Sequence, residues 1–211
     1  MKSKIPMSSR LLRSLVLAIP FVVACGIVPD VKLGADFGIP AVSGSTTVSI
    51  PQDYKCADPI TDPAGKYKVT SSGTAEKCTF VFKQDVTAIK ASDYDSKPEL
   101  QGARAVNGID LEVSKFAVLD AATCKEPSGL LDLVGKAFGE TILTREDLKQ
   151  TPPFTKTIEG PAVDALKSQV QAKQDIVIPV DVTVVVSLSP APPEKLQLDF
   201  EAQPVLSIGF E

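Results

Sequence analysis

Cysteine is the most informative reactive residue type in this 211-residue chain, which contains four cysteines and no histidine. The cysteines are Cys25, Cys56, Cys78 and Cys124. Without histidine, the chain lacks the usual Ser-His-Asp and Cys-His nucleophile systems and any histidine-ligated zinc, iron or copper site. None of the spacings between the cysteines matches a zinc motif. We therefore predict no catalytic residue, no metal site and no cofactor.

The first cysteine ends an apolar segment near the N-terminus. Residues 1–13 carry four basic residues and no acidic residue, and residues 14–24 carry no charge. These 11 uncharged residues fall within the roughly 7–15 residue core of a secretory signal. A membrane-spanning helix needs about 20 apolar residues, and Pro29 and Asp30 follow too soon. The segment therefore predicts export.

The residues around Cys25 also predict that a lipid is attached to this cysteine. The sequence Val22-Val23-Ala24-Cys25 resembles the lipobox of bacterial lipoproteins. The resemblance implies cleavage after Ala24 and a diacylglyceryl group on the Cys25 thiol, and two or three acyl chains hold a protein firmly to a bilayer. Gly26 stands where an aspartate would resemble an inner-membrane retention signal, which favours the outer membrane if the source is Gram-negative. An ordinary cleaved signal with a chance cysteine is the alternative.

Cleavage would leave an acidic chain. The first 24 residues hold four of the 22 basic residues and none of the 26 acidic ones, so residues 25–211 have a net charge of −8. This charge argues against nucleic acid as a partner and against an electrostatic contact with anionic lipid. We divide the chain into a signal peptide (residues 1–24), a lipid-anchored tether (residues 25–44) and a single β-rich domain (residues 45–211).

The other three cysteines can form one disulfide bond, in any of three pairings. We favour Cys56–Cys78, because these residues flank the same turn-rich insert and an exported chain permits disulfides. In the chain-entropy picture, closing that loop stabilises the fold by roughly 3 kcal/mol. Cys124 is then expected to be a loop thiol.

The elements that position these residues are mostly strands. Val, Ile and Leu dominate the apolar content, and there are 17 prolines, as in a β-rich fold with many turns. We predict strands at residues 46–50, 66–71, 79–86 and 108–119. In the last of these the apolar phase shifts, which suggests a β-bulge near Ser114 or Lys115. Two helices are predicted, a weak one at residues 129–138 and an amphipathic one at residues 161–173.

The C-terminal third has the clearest pattern. Every even position from Ile176 to Leu188 is apolar, and the even phase resumes from Leu196 to Phe210 after a six-residue loop. We predict a long antiparallel hairpin with bends at Pro179 and Pro204, which should occupy edge or bulge positions. The fold class is therefore mainly β: an antiparallel β-sandwich-like domain of about seven or eight strands with one amphipathic helix. In outline this resembles the small β-sandwich of late-embryogenesis-abundant-type domains, a likeness of architecture and not of motif.

These features favour a non-catalytic, membrane-anchored envelope lipoprotein that serves as a binding or structural module. Its expected partners are the membrane, through the lipid on Cys25, and a further envelope protein. The alternative is a carrier of a lipid or other apolar ligand, enclosed by the long hairpin and the helix. A hydrolase with a carboxylate pair is a third hypothesis, but no nucleophile or phosphate-binding motif supports it.

Overall fold

Ten strands form two antiparallel sheets in the part of the chain that this computed structural model describes, residues 30–164, 166–189 and 192–210. Their bounds are β1 Val31–Leu33, β2 Val42–Ser49, β3 Lys68–Gly73, β4 Cys78–Ile89, β5 Ala105–Asp120, β6 Leu130–Ala137, β7 Glu140–Thr144, β8 Phe154–Ile158, β9 Ile176–Val186 and β10 Lys195–Gly209. The mainly-β prediction is confirmed. The count of seven or eight strands was too low, because the short strands β1, β7 and β8 carry too few residues to show a period.

Sheet A has the order β1-β10-β5-β8, and β2 pairs with β10 on the same side as β1. Sheet B has the order β3-β4-β9-β6-β7. Their inward side chains form one continuous buried cluster, which includes Phe80 and Phe82 of sheet B and Phe200 of sheet A. The domain is thus a β-sandwich with a shared core.

The two long C-terminal strands are present as predicted, but they belong to different sheets. β9 pairs with β4 and β6, whereas β10 pairs with β5, β2 and β1. Because β9 and β10 belong to different sheets, they do not hydrogen-bond to each other as the strands of a simple hairpin would. Their even-numbered side chains meet in the core instead.

The bulge predicted in β5 is present, and the two prolines of β9 and β10 occupy positions that are unpaired on one side. The register of β5 against β10 shifts between Lys115 and Val113, which leaves Ser114 as the extra residue of a bulge. On one side of β10, Pro204 pairs with Leu111 of β5. On the other side, it lies between the residues of β10 that pair with β2 and those that pair with β1. Pro179 lies just beyond Val180, the last residue of β9 that pairs with β6. Both prolines therefore lie where one ladder is interrupted.

The predicted helix at residues 129–138 is wrong, because this segment forms strand β6. Its register against β9 shifts between Leu130 and Asp132. This irregularity places buried Leu130 three residues before buried Leu133 and leaves Leu131 47% exposed. A spacing of three imitates the apolar repeat of a helix, although Gly135 and Ala137 then continue the alternation of a strand.

Helices are short and lie beside the core. α1 (Asp93–Ser96) and a 3-10 turn (Pro98–Leu100) connect β4 to β5. α2 (Pro161–Asp164) and α3 (Leu166–Gln171) match the predicted amphipathic segment and pack against β5. The predicted apolar stripe of this segment is buried: Val163, Leu166 and Val170.

The sandwich has two ends, which we call the N-terminal pole and the loop pole. The N-terminal pole is where β1 and β5 begin and β10 ends, since Val31 pairs with Ile208 and Ala105 with Gly209. The loop pole is the opposite end of β10, where Lys195 pairs with Ser49. Residues 31–44, assigned above to the tether, contribute β1 and the start of β2 and belong to the β domain. Residues 1–29, with the predicted signal and Cys25, lie outside the described residues.

Candidate functional site

The loop pole carries the most elaborate irregular segment, residues 50–67, which we call the stapled loop. It follows β2, and the N–H of Ile50 donates to the carbonyl of Glu194 at 2.8 Å. Cys56 in the loop is bonded to Cys78, the first residue of β4, with a Cα–Cα distance of 5.5 Å. The predicted disulfide is therefore present, and it ties a loop that follows sheet A to a strand of sheet B.

Asp62 organises the second half of the stapled loop. Its side chain accepts hydrogen bonds from the backbone N–H groups of Ala64 at 2.9 Å and of Lys66 and Tyr67 at 2.8 Å each. It also accepts one from the hydroxyl of Thr46 on β2. Asp62 is only 9% exposed, so one carboxylate holds a turn of the loop against the edge of sheet A.

The pKa of Asp62 follows from these contacts. Burial acts to raise it, but the hydrogen bonds from the Thr46 hydroxyl and from the backbone N–H groups outweigh burial. The pKa of this carboxyl is therefore below its ordinary value, and Asp62 is ionised at neutral pH. A carboxylate with a lowered pKa and with its oxygens already hydrogen-bonded stabilises the loop and is a poor general base.

Two tyrosines attach the stapled loop to sheet B. The ring of Tyr54 stacks on Phe80 with 6.1 Å between centroids, and its hydroxyl lies 2.6 Å from the Ser71 hydroxyl. The ring of Tyr67 meets Phe82 edge to face. Burial, followed by the negative charges of Asp62 and Asp199, raises the pKa of Tyr67 to about 12. Tyr67 is thus a neutral core residue.

A cleft of about 390 Å³ opens on the outside of the stapled loop. Its wall combines proline rings, one aromatic side chain and carboxylates, and includes Pro51, Asp53, Tyr54, Asp58, Ile60 and Pro63. Prolines have few backbone states to lose on binding, and the disulfide and Asp62 already restrict the loop. The cleft is therefore a preformed surface that suits recognition of a ligand.

A second buried carboxylate lies on the outer face of sheet A and was not predicted. Asp199 on β10 is 4% exposed. It accepts hydrogen bonds from the Ser45 hydroxyl and from Gln197 at 3.0 Å, and Lys115 lies 3.0 Å away. Burial raises its pKa, but these three partners outweigh burial and lower it. Ser45 is not an activated nucleophile, because its neighbour is a weakly basic carboxylate and the chain has no histidine.

The sequence-predicted site residues divide into three groups. The structure brings Cys56 and Cys78 together. It leaves Cys124 as an exposed free thiol in the turn after β5, as predicted. Ala24 and Cys25, the predicted cleavage and lipid-attachment residues, lie outside the described residues.

The described residues show neither a group of metal ligands nor a membrane-spanning helix. Between residues 30 and 210, gaps excepted, no three His, Cys, Asp or Glu side chains are grouped so that they could hold a metal ion. No helix in the same part of the chain has both the length and the apolar character to span a bilayer.

The chain matches no protein-family model, no curated protein and no solved structure.

Proposed function

We propose that this protein is a non-catalytic lipoprotein of the cell envelope, anchored through an acylated Cys25, and that it binds a partner protein through the stapled loop. The observation that carries the proposal is the preformed cleft of that loop, at the end of the sandwich opposite to the strand β1. Rigid loops on the end of a β scaffold are a common place for recognition sites.

The stapled loop supports recognition better than catalysis. Its buried carboxylate, Asp62, uses its oxygens on four donors of the protein itself. The cleft wall includes the partly buried side chains of Tyr54 and Ile60, which can bind by contact, together with the carboxylate of Asp53. We therefore expect a peptide or protein surface as the ligand, with an apolar group for the cleft and a cation near the carboxylates.

The alternative, a carrier of an apolar ligand, assigned the even-numbered side chains of β9 and β10 to the wall of a cavity. Those side chains belong to the continuous core cluster, and Ile178, Val182, Leu198 and Leu206 are fully buried. Protein interiors are close-packed, so these residues are better explained as core. This favours the binding module over the carrier.

The anchor is tested by Cys25→Ser, with Cys124→Ser as the matched control because Cys124 is a free, exposed thiol. In cells fed radiolabelled palmitate, we expect Cys25→Ser to lose the label and to leave the membrane fraction. Cys124→Ser should keep both. Retention of palmitate on the Cys25→Ser protein would contradict the lipoprotein proposal.

The binding surface is tested by placing a photo-crosslinking amino acid at Ile60 in the cleft and, as a control, at the exposed Lys83 on β4. We expect a discrete crosslinked species from position 60 in intact cells and none from position 83. Ile60→Glu should abolish a partner complex that Lys83→Glu preserves. Equal crosslinking from both positions would contradict a specific site at the stapled loop.

A further inference from the structure

The N-terminal pole lies close to the proposed lipid attachment in the chain. Five residues, 26–30, separate Cys25 from Val31, the first residue of β1. An extended chain spans at most about 3.3–3.6 Å per residue, so the six steps from Cys25 to Val31 place their Cα atoms at most about 22 Å apart in any conformation. An acylated Cys25 therefore keeps this pole near the bilayer.

The segments that form the N-terminal pole are tied to both sheets. The N–H of Arg104 donates to the carbonyl of Gly209 at 2.8 Å, and Asp175 accepts the N–H of Ala91 at 2.7 Å. Asp30, just before β1, accepts a hydrogen bond from Asn107 at 2.9 Å. The pole is thus a fixed surface of the sandwich rather than a separate appendage.

The cleft at this pole has a mainly polar wall, with charges of both signs. A cleft of about 430 Å³ between the 3-10 turn and α3 includes Gln101, Arg104 and Gln171 in its wall. Lys173 in the same wall is paired with Asp95 at 2.7 Å. Amide groups and charged groups of both signs suit the hydrated headgroup layer of a membrane and do not require anionic lipid.

The stapled loop is far from this surface. β10 advances twelve residue steps from Leu196, which pairs with Asp120 beside the loop pole, to Ile208, which pairs with Val31. At about 3.3 Å per residue, the two poles are about 40 Å apart. This separation is about twice the longest reach of the chain between Cys25 and Val31.

We infer that the N-terminal pole rests on the headgroup layer of the bilayer and that the sandwich stands upright on it. The stapled loop then faces away from the anchoring membrane, about 40 Å above its surface, and meets a partner at that height. This inference rests on the proposed acylation of Cys25, and it adds the surface that contacts lipid and the direction in which the cleft points.

Energy transfer to the membrane tests this orientation in the acylated, full-length mature protein. Cys124 at the loop pole is exposed and free, so it accepts a donor dye without any substitution. The comparison protein is Gln101→Cys/Cys124→Ser, which moves the dye to the exposed residue 101 at the N-terminal pole. Both proteins are reconstituted into phosphatidylcholine vesicles whose headgroups carry an acceptor dye, and the mass of the N-terminal peptide verifies acylation.

We expect a dye at position 101 to lie about 40 Å closer to the headgroup layer than a dye at Cys124. The difference should persist at raised salt, because the contact does not depend on net charge. Equal distances would mean that the sandwich lies on its side, and a reversed order would mean that the loop pole faces the membrane; either overturns the orientation alone. An N-terminal peptide without acyl mass overturns the proposed anchor, and the orientation with it.

Discussion

Replacing Asp62 tests whether a single carboxylate holds the stapled loop in place. In Asp62→Asn, one carboxylate oxygen becomes an NH₂ group, which cannot accept a hydrogen bond. If the amide oxygen keeps the N–H groups of Lys66 and Tyr67, the NH₂ group can still donate to the Thr46 hydroxyl. The N–H of Ala64 then faces a donor and loses its acceptor. Every orientation of the amide leaves at least one backbone donor unpaired.

The size of the effect follows from the cost of such donors. The hydrogen bond from the N–H of Ala64 is part-buried, and a hydrogen bond to a charged group contributes about 1.5–3 kcal/mol, so we expect Asp62→Asn to lower the free energy of unfolding by about 2 kcal/mol. Asp62→Ala removes every acceptor and should cost more, about 3 kcal/mol. For a domain of this size, 2 kcal/mol corresponds to a fall in Tm of roughly 4–8 °C.

Urea unfolding followed by circular dichroism measures this difference. Asp53→Asn is the matched control, since Asp53 is an exposed residue of the same loop, and its substitution should change stability by less than about 0.5 kcal/mol. Hydrogen exchange should show faster exchange at the N–H groups of residues 64, 66 and 67 in Asp62→Ala. Equal stabilities of Asp62→Asn and Asp53→Asn would refute the assigned role of Asp62.

Two further predictions concern the disulfide and the buried carboxylates. Cys56→Ala/Cys78→Ala should lower the free energy of unfolding by roughly 3 kcal/mol, because the disulfide closes a loop with a 22-residue separation. Cys124→Ala should leave the free energy of unfolding unchanged. Equal urea midpoints for the double variant and the unaltered protein would contradict the prediction. Stability should also fall in acid. The pKa values of Asp62 and Asp199 are lowered because their hydrogen bonds, and at Asp199 also the charge of Lys115, outweigh burial. The contribution of these ionised carboxylates to the free energy of unfolding is therefore complete above the unfolded pKa of about 3.9, and it is lost as pH falls through the pKa values of the folded state. An unchanged urea midpoint down to pH 3 would contradict this.

Strand positions were predictable wherever side chains alternate without interruption. The even-numbered apolar residues of β9 and β10 point into the core, because successive side chains on a strand face opposite sides. The bulge at Ser114 was also predictable, since one extra residue moves the buried set from Val113 to Phe116. The same logic failed in β6, where an irregularity near Leu131 produces a spacing of three that a helix would also give.

The stapled loop shows why the rest of the site was not predictable. The disulfide could be inferred because two cysteines flank one insert, and their chemistry limits the pairings. The role of Asp62 depends on Thr46, a residue on a strand of sheet A, and the burial of Asp199 depends on Ser45, which is 154 residues away. An aspartate in a turn or on a strand looks the same in sequence whether it is solvated or enclosed. Only the tertiary fold distinguishes the two.

The sequence of the connection between β9 and β10 bears on whether these two strands pair with each other. The alternation of apolar and polar residues shows which face of each strand is buried. A hairpin and two strands that face each other across a core both bury that face, so the alternation does not distinguish them. A tight hairpin needs a short turn with residues that adopt positive φ. The connecting residues 189–194, SPAPPE, contain three prolines and no glycine or asparagine. Proline cannot donate a ladder hydrogen bond, so this segment favours a change of sheet, and each strand is then free to pair on both of its sides.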